Sequence, residues 1–178
     1  MLVSYYNTGN DTLARKAICD IDNSRLAEGV TEGRYPARGT NVISPFSLMW
    51  IGMLHDYYMY RPDSAFVSQH LPGMRQVLSF FMQHTGKDGT LKALPYWNFM
   101  DWVERQRQWK MGVPPKGKDG CSAILDLLLL RAYQWATDLE AHLGNQGMAD
   151  GYRQRADMLA NTIQRKYWDT NKQCYADV

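Results

Sequence analysis

At 178 residues with 45% hydrophobic side chains, the chain is long enough to enclose one sizeable core, and a separate second domain is not expected. Its 20 Lys and Arg against 18 Asp and Glu give a formal net charge of +2, with no basic run to grip nucleic acid or an anionic membrane. Cys19, Cys121 and Cys174 form no CxxC pair and leave one thiol odd, which argues against a disulfide framework or a zinc knuckle.

Met1 to Tyr6 has neither the basic start nor the apolar stretch of a signal peptide, and no apolar run reaches the roughly 18 residues of a membrane span. A soluble domain is expected. The first helix is expected from Asp11 to about Asn23, capped by Asn10 or Asp11, with Leu13, Ala17, Ile18 and Ile21 on one face. Asn10-Asp11-Thr12 also has the form of a glycosylation acceptor, but a cap explains Asn10 better. Glu28 to Asn41, with Gly29, Gly33, Pro36 and Gly39 and no sustained period, is expected as a loop.

Ser44 suits an N-cap and Pro45 the first helical position, starting a helix through Phe46, Leu48, Met49, Trp50, Ile51, Met53, Leu54 and Tyr57 that is apolar nearly all round. Trp50 and Tyr57 are expected in the core, and His55-Asp56 as a satisfied polar pair. The next helix, Asp63 to His84, carries Val67, Leu71, Met74, Leu78 and Phe81 on one stripe and Gln69, Arg75, Gln76 and Gln83 elsewhere, with Pro72 kinking or restarting it. After a long loop the same textures return. Ile124 to Ala136 is apolar nearly all round, and Met148 to Tyr167 keeps Tyr152, Ala156, Leu159, Ile163 and Tyr167 on one stripe. A helix apolar on every side must be covered on every side, whereas an amphipathic partner can lie outside it. Two inner-then-outer pairs imply a double-layered helical array, either closed into a toroid or open as a solenoid.

Thr85 to Gly120 far exceeds the roughly 12 to 15 residues beyond which structureless loops are uncommon. Its Leu91, Leu94, Tyr96, Trp97, Phe99, Met100, Trp102, Val103 and Trp109 are too apolar to stay solvated, so it should fold and pack, with a short hairpin near Leu91 to Tyr96. A pyranose presents an apolar face and a rim of hydroxyls, so its site combines flat rings with carboxylate or amide groups. Trp97, Asn98, Asp101 and Trp102 supply that combination, although such rings can also simply fill space under a loop. The two GKDG stretches, Gly86 to Gly89 and Gly117 to Gly120, lack a phosphate-loop frame and are expected as turns. His55, His70, His84 and His142 have no paired-ligand spacing. Neither a metal nor another cofactor is expected.

The strings YNTGNDTLARKAI (Tyr6 to Ile18), EGRYPAR (Glu32 to Arg38), ISPFSLMWIGMLHDYYMYRPD (Ile43 to Asp63), LPGMRQVLSFF (Leu71 to Phe81) and PYWNFMDW (Pro95 to Trp102) resemble the catalytic domain of α-L-rhamnosidases, glycoside hydrolase family 78. RYP, SPFSLMW and YWNFMDW are the most specific parts. The resemblance spans essentially the whole chain and implies an all-α fold forming part of an (α/α)6 toroid, with a pocket where the inner helices begin. It implies inverting hydrolysis of terminal α-L-rhamnosides. It places Trp97, Asn98, Asp101 and Trp102 at the pocket wall, with Tyr35 and Arg38 approaching from the preceding loop.

Inversion needs an acid and a base about 6.5 to 9.5 Å apart across the sugar. The resemblance implies that the acid falls before Met1 and the base after Val178, so that residues 1–178 form a partial domain without activity of its own. Glu32 or Asp101 as base with Glu104 or Asp88 as acid is the less favoured arrangement. The implied partner is a rhamnose-containing glycan or glycoside. Apolar inner helices with missing neighbours would favour self-association, and a periplasmic or extracellular setting is compatible with the family. The competing function is a non-catalytic helical-hairpin scaffold binding a protein or glycan. The aromatic Thr85 to Gly120 segment argues against it, because such scaffolds rarely interrupt their stacking.

Overall fold

The computed structural model describes residues 2–103 and 109–176, and they form an all-helical array. In chain order it has α1 (Leu2–Asn7), α2 (Thr12–Asn23), α3 (Ser44–Tyr60), α4 (Ser64–Gln83), α5 (Ala123–His142) and α6 (Gln146–Tyr167). A small antiparallel hairpin follows, β1 (Trp168–Asp169) paired with β2 (Cys174–Tyr175). The apolar helices α3 and α5 lie side by side, α2 and α4 pack on α3, and α6 packs along α5. The expected order of inner and outer helices is therefore the order observed. Among the described residues, no helix is long and apolar enough to cross a membrane.

The core lies between the layers. Leu48, Ile51, Leu54 and Tyr57 of α3, Met74, Leu78 and Phe81 of α4, Leu129 and Ala136 of α5, and Leu159 and Ile163 of α6 are all buried within it. Inner-helix contact is close at Gly52, where a Cβ would stand 2.8 Å from the Trp135 ring; a side chain there would push α5 away from α3. Trp50 is buried as expected, and its Nε1 donates to the carbonyl of Ile18 at 3.1 Å. Tyr57 is buried too, donating to Asp11 Oδ2 at 2.6 Å and accepting from Arg15 Nη1 at 2.8 Å. Arg15 also reaches Asp63 at 2.7 Å. The Asp63 carboxylate caps α4 through the amide of Phe66; that bond, with the Arg15 guanidinium, holds its pKa below the usual carboxylate range.

Several local expectations are corrected. Ile18 is buried and Ile21 packs against the core as expected, but Leu13 is 77% exposed, and Ala14, the next residue along, takes its place on the buried face of α2. Asn10 Oδ1 accepts from the amide of Thr12 at 2.9 Å, so Asn10 serves the helix start while the Asp11 carboxylate turns to Tyr57. Ser44 is not a cap. Ile43 occupies that position, and the buried Ser44 hydroxyl donates to the carbonyl of Pro95 at 2.9 Å. Pro72 does not interrupt α4: both Pro72 and Ser68, whose carbonyl loses its helical partner, are exposed, so solvent can reach that carbonyl. Helix α1 and the terminal β-hairpin were not anticipated.

Two buried carboxylates sit inside α5, a helix whose sequence looks almost wholly apolar. Glu140 receives a bidentate pair from Arg75 of α4, both contacts at 2.7 Å, which raises the guanidinium pKa. Asp126 accepts from the Leu91 amide at 2.7 Å and the Tyr167 hydroxyl at 2.6 Å. Burial pushes its pKa up to about 6 against the opposing pull of those donors. His55 lies 3.3 Å from Asp56 and 3.5 Å from Asp138, a half-buried polar cluster rather than a deep pair.

Candidate active-site wall

The described residues of 84–122 lie in turns, isolated bridges and irregular loop, outside any helix or strand. Both GKDG stretches fold alike. The amide of Gly86 donates to Thr90 and that of Gly117 to Cys121, while Gly89 and Gly120, each at φ +82°, close the turns onto Gly86 and Gly117. The hairpin expected near Leu91 to Tyr96 lies earlier, closed by the bridge Thr85↔Leu91. Thr90 Oγ1 then meets Cys121 Sγ at 3.2 Å, so the residues following the two turns touch. The amide of Leu91 in turn donates to Asp126, which ties the first turn to the start of α5.

In that stretch Trp97, Phe99 and Trp102 form a ring cluster with centroids 4.9, 5.0 and 6.0 Å apart. Phe99 also meets Phe46 of α3 edge-on at 6.2 Å, which seats the cluster on the first turn of an inner helix. Trp97 Nε1 donates to the carbonyl of Met111 at 3.0 Å, and the amide of Met100 donates to Gly112 at 2.9 Å. Gly112 has φ +71°, and a Cβ there would lie 2.2 Å from the Phe99 ring. Only glycine both adopts that backbone and leaves the ring its place. Trp102, Val103, Trp109, Met111 and Gly112 line a recess of about 280 Å³.

The residues proposed from sequence fall in different settings. Trp102 is 60% exposed beside the recess, and Trp97 is half-buried. Asp101 is exposed, with Oδ1 accepting from the Trp102 amide at 2.7 Å. Asn98 is only 4% exposed, and its amide turns back into the loop. Tyr35 and Arg38 lie on the exposed part of an excursion whose base is closed by the bridge Glu32↔Val42. The carbonyl of Val42 receives the Trp97 amide at 3.4 Å, so the excursion springs from beside the ring cluster. Glu104, weighed as an acid, lies outside the described residues. Met111, Gly112 and Phe46 touch the ring cluster and were not singled out from sequence, although Phe46 stands within SPFSLMW and Gly112 soon after Trp109.

No curated protein matches the chain. Among solved structures, a family 78 rhamnosidase of Bacillus sp. GL1 is similar with a TM-score of 0.82 and 25% identity, over 99% of this chain and 17% of that one. A rhamnosidase from Klebsiella oxytoca with rhamnose bound gives 0.80 and 20%, over 99% and 33%. The α-L-rhamnosidase from Dictyoglumus thermophilum gives 0.72 and 15%, over 94% and 18%. The chain thus spans a third or less of the length of these relatives. Residues 1–178 match the model of the bacterial α-L-rhamnosidase 6 hairpin glycosidase domain, and the chain belongs to that family.

Proposed function

We propose that residues 1–178 contribute a sugar-facing wall to an inverting glycoside hydrolase that releases terminal α-L-rhamnose, within an (α/α)6 toroid that other segments complete. The observation that carries this is the cluster of Trp97, Phe99 and Trp102 beside an open recess at the start of α3. An exposed indole offers the flat apolar surface on which a pyranose face stacks, and Asp101 adds an acceptor for a rim hydroxyl. The rhamnose held by the Klebsiella oxytoca relative supports the choice of sugar. Tyr35 and Arg38 approach from the neighbouring excursion.

The acid and base belong to other segments. Asp101 is engaged with the Trp102 amide, and Asp88 is engaged with Thr90 inside its turn. Among the described residues, none that lines the recess is a carboxylate, whereas inversion needs two, set apart with room for an attacking water.

The test is a titration with methyl α-L-rhamnoside, followed by tryptophan fluorescence, in the full polypeptide that carries these residues. Saturable quenching that Trp102→Ala abolishes is the expected result. Saturable binding left untouched by both Trp102→Ala and Trp97→Ala would overturn the assignment of the wall. Residues 1–178 alone should release no aryl alcohol from an aryl rhamnoside.

A further inference from the structure

The backbone just before Trp97 lies in no helix or strand, yet three successive carbonyls each receive a side-chain donor. Asn98 Nδ2 donates to Leu94 at 3.1 Å and to Tyr96 at 3.4 Å, and the Ser44 hydroxyl takes the intervening Pro95 at 2.9 Å. Ser44 and Asn98 are both buried. Tyr96 is held at φ +67°, a backbone that L residues rarely adopt. Its hydroxyl is hydrogen-bonded to the Glu28 carboxylate. One amide and one hydroxyl therefore do for residues 94–96 what a ladder of backbone bonds does in a strand.

We infer that Asn98 is a positioning residue for the aromatic wall and not a sugar contact, an inference that rests on Trp97 and Trp102 forming that wall. Two features of Asn98 exclude direct recognition. Both donor contacts of its amide are spent on the loop's own carbonyls, and its Oδ1 is sealed from solvent, without a hydrogen-bond partner among the described residues. A sugar hydroxyl reaches neither end unless the loop opens. The next residue back along the chain is Trp97, whose amide bonds Val42 and whose indole bonds Met111. The turn that Asn98 fixes thus sets where the indole plane stands, and a preset plane binds more tightly than one ordered on contact.

The experiment compares the full polypeptide with its Asn98→Ala and Trp97→Ala variants, using methyl α-L-rhamnoside, its monodeoxy analogues and acrylamide quenching. Asn98→Ala should make the tryptophans more quenchable without ligand. It should also weaken rhamnoside binding about tenfold, the order expected for loss of two neutral hydrogen bonds. Each deoxy analogue should lose the same factor in variant and parent, because no sugar hydroxyl faces Asn98. If one deoxy penalty vanishes in Asn98→Ala, that hydroxyl touches Asn98 and the inference fails. It fails equally if quenching is unchanged, or if the variant melts earlier while its affinity holds. Should Asn98→Ala not fold, Ser44→Ala, which releases Pro95 in the same segment, should reproduce the quenching change. If Trp97→Ala leaves affinity intact while Asn98→Ala still alters quenching, Trp97 is no part of the sugar wall, but Asn98 still sets its position.

Discussion

The α5–α6 hairpin and segment 84–122 are held together by different means. In the hairpin, a stripe repeating every three or four residues, Tyr152, Ala156, Leu159 and Ile163, meets the buried face of α5, and most of the stability is area removed from water. Its few polar interior groups are fully matched, as in the Arg75–Glu140 pair. In segment 84–122, the rings are placed by single donors and acceptors and by one glycine clearance. A periodic element distributes its stability over many side chains, so few of them matter alone. An aperiodic one concentrates its geometry in a handful.

The hairpin's exceptions are its buried charges, and the largest expected effect tests them. Arg75→Ala strands the wholly buried Glu140 carboxylate without its partner. Removing one member of such a pair costs about 3 to 5 kcal/mol, so thermal unfolding should shift by many degrees. Glu140→Gln should do less damage, since Arg75 is over a third exposed and water can take it up. Equal losses from both variants would show that the pair, not the stranded charge, sets the size of the effect.

Asp126 joins the two regions, bonding Leu91 of the first turn and Tyr167 at the end of α6. Its pKa is raised from 3.8 to about 6 by burial, so the folded state holds the proton to higher pH than the unfolded state does. Its contribution to stability is present in full below about pH 4 and is lost as pH rises through about 6, on the order of 3 kcal/mol in all. Asp126→Asn should remove that slope from the pH dependence of denaturant unfolding. An unchanged slope between pH 4 and 6 would assign it to other groups.

The same contrast explains what could be read from sequence. The stripes of α4 and α6 were legible because burial on a helix repeats with the turn, and all five residues named on each stripe are buried. Periodicity left toroid and solenoid open, and only the family resemblance favours the toroid. Asp126 lay hidden inside the apolar run and Glu140 just past its end at Ala136, and their partners, Tyr167 and Arg75, lie 41 and 65 residues away. Leu13 was misplaced because a one-residue shift turns the helix face by about 100°. Asn98 shows the limit in the candidate site: an amide beside two tryptophans suits sugar recognition, and only the fold reveals that it turns back to Leu94 and Tyr96.

The smallest global effect should come from Gly112→Ala, although its local effect should be large. A left-handed backbone penalises an L residue by about 1 to 2 kcal/mol, and the added Cβ would displace the Phe99 ring it meets at 2.2 Å. Phe99 bridges Trp97, Trp102 and Phe46, so one methyl group should disturb every contact in the cluster. Helix α5 and its partner α6 make none of these contacts, so the loss should stay within the loop. We expect a melting shift well below that of Arg75→Ala, together with a clear change in tryptophan emission and weakened rhamnoside binding. A melting shift as large as that of Arg75→Ala would mean that the aromatic cluster helps hold the helices together, and the division between distributed and concentrated stability would fail at that point.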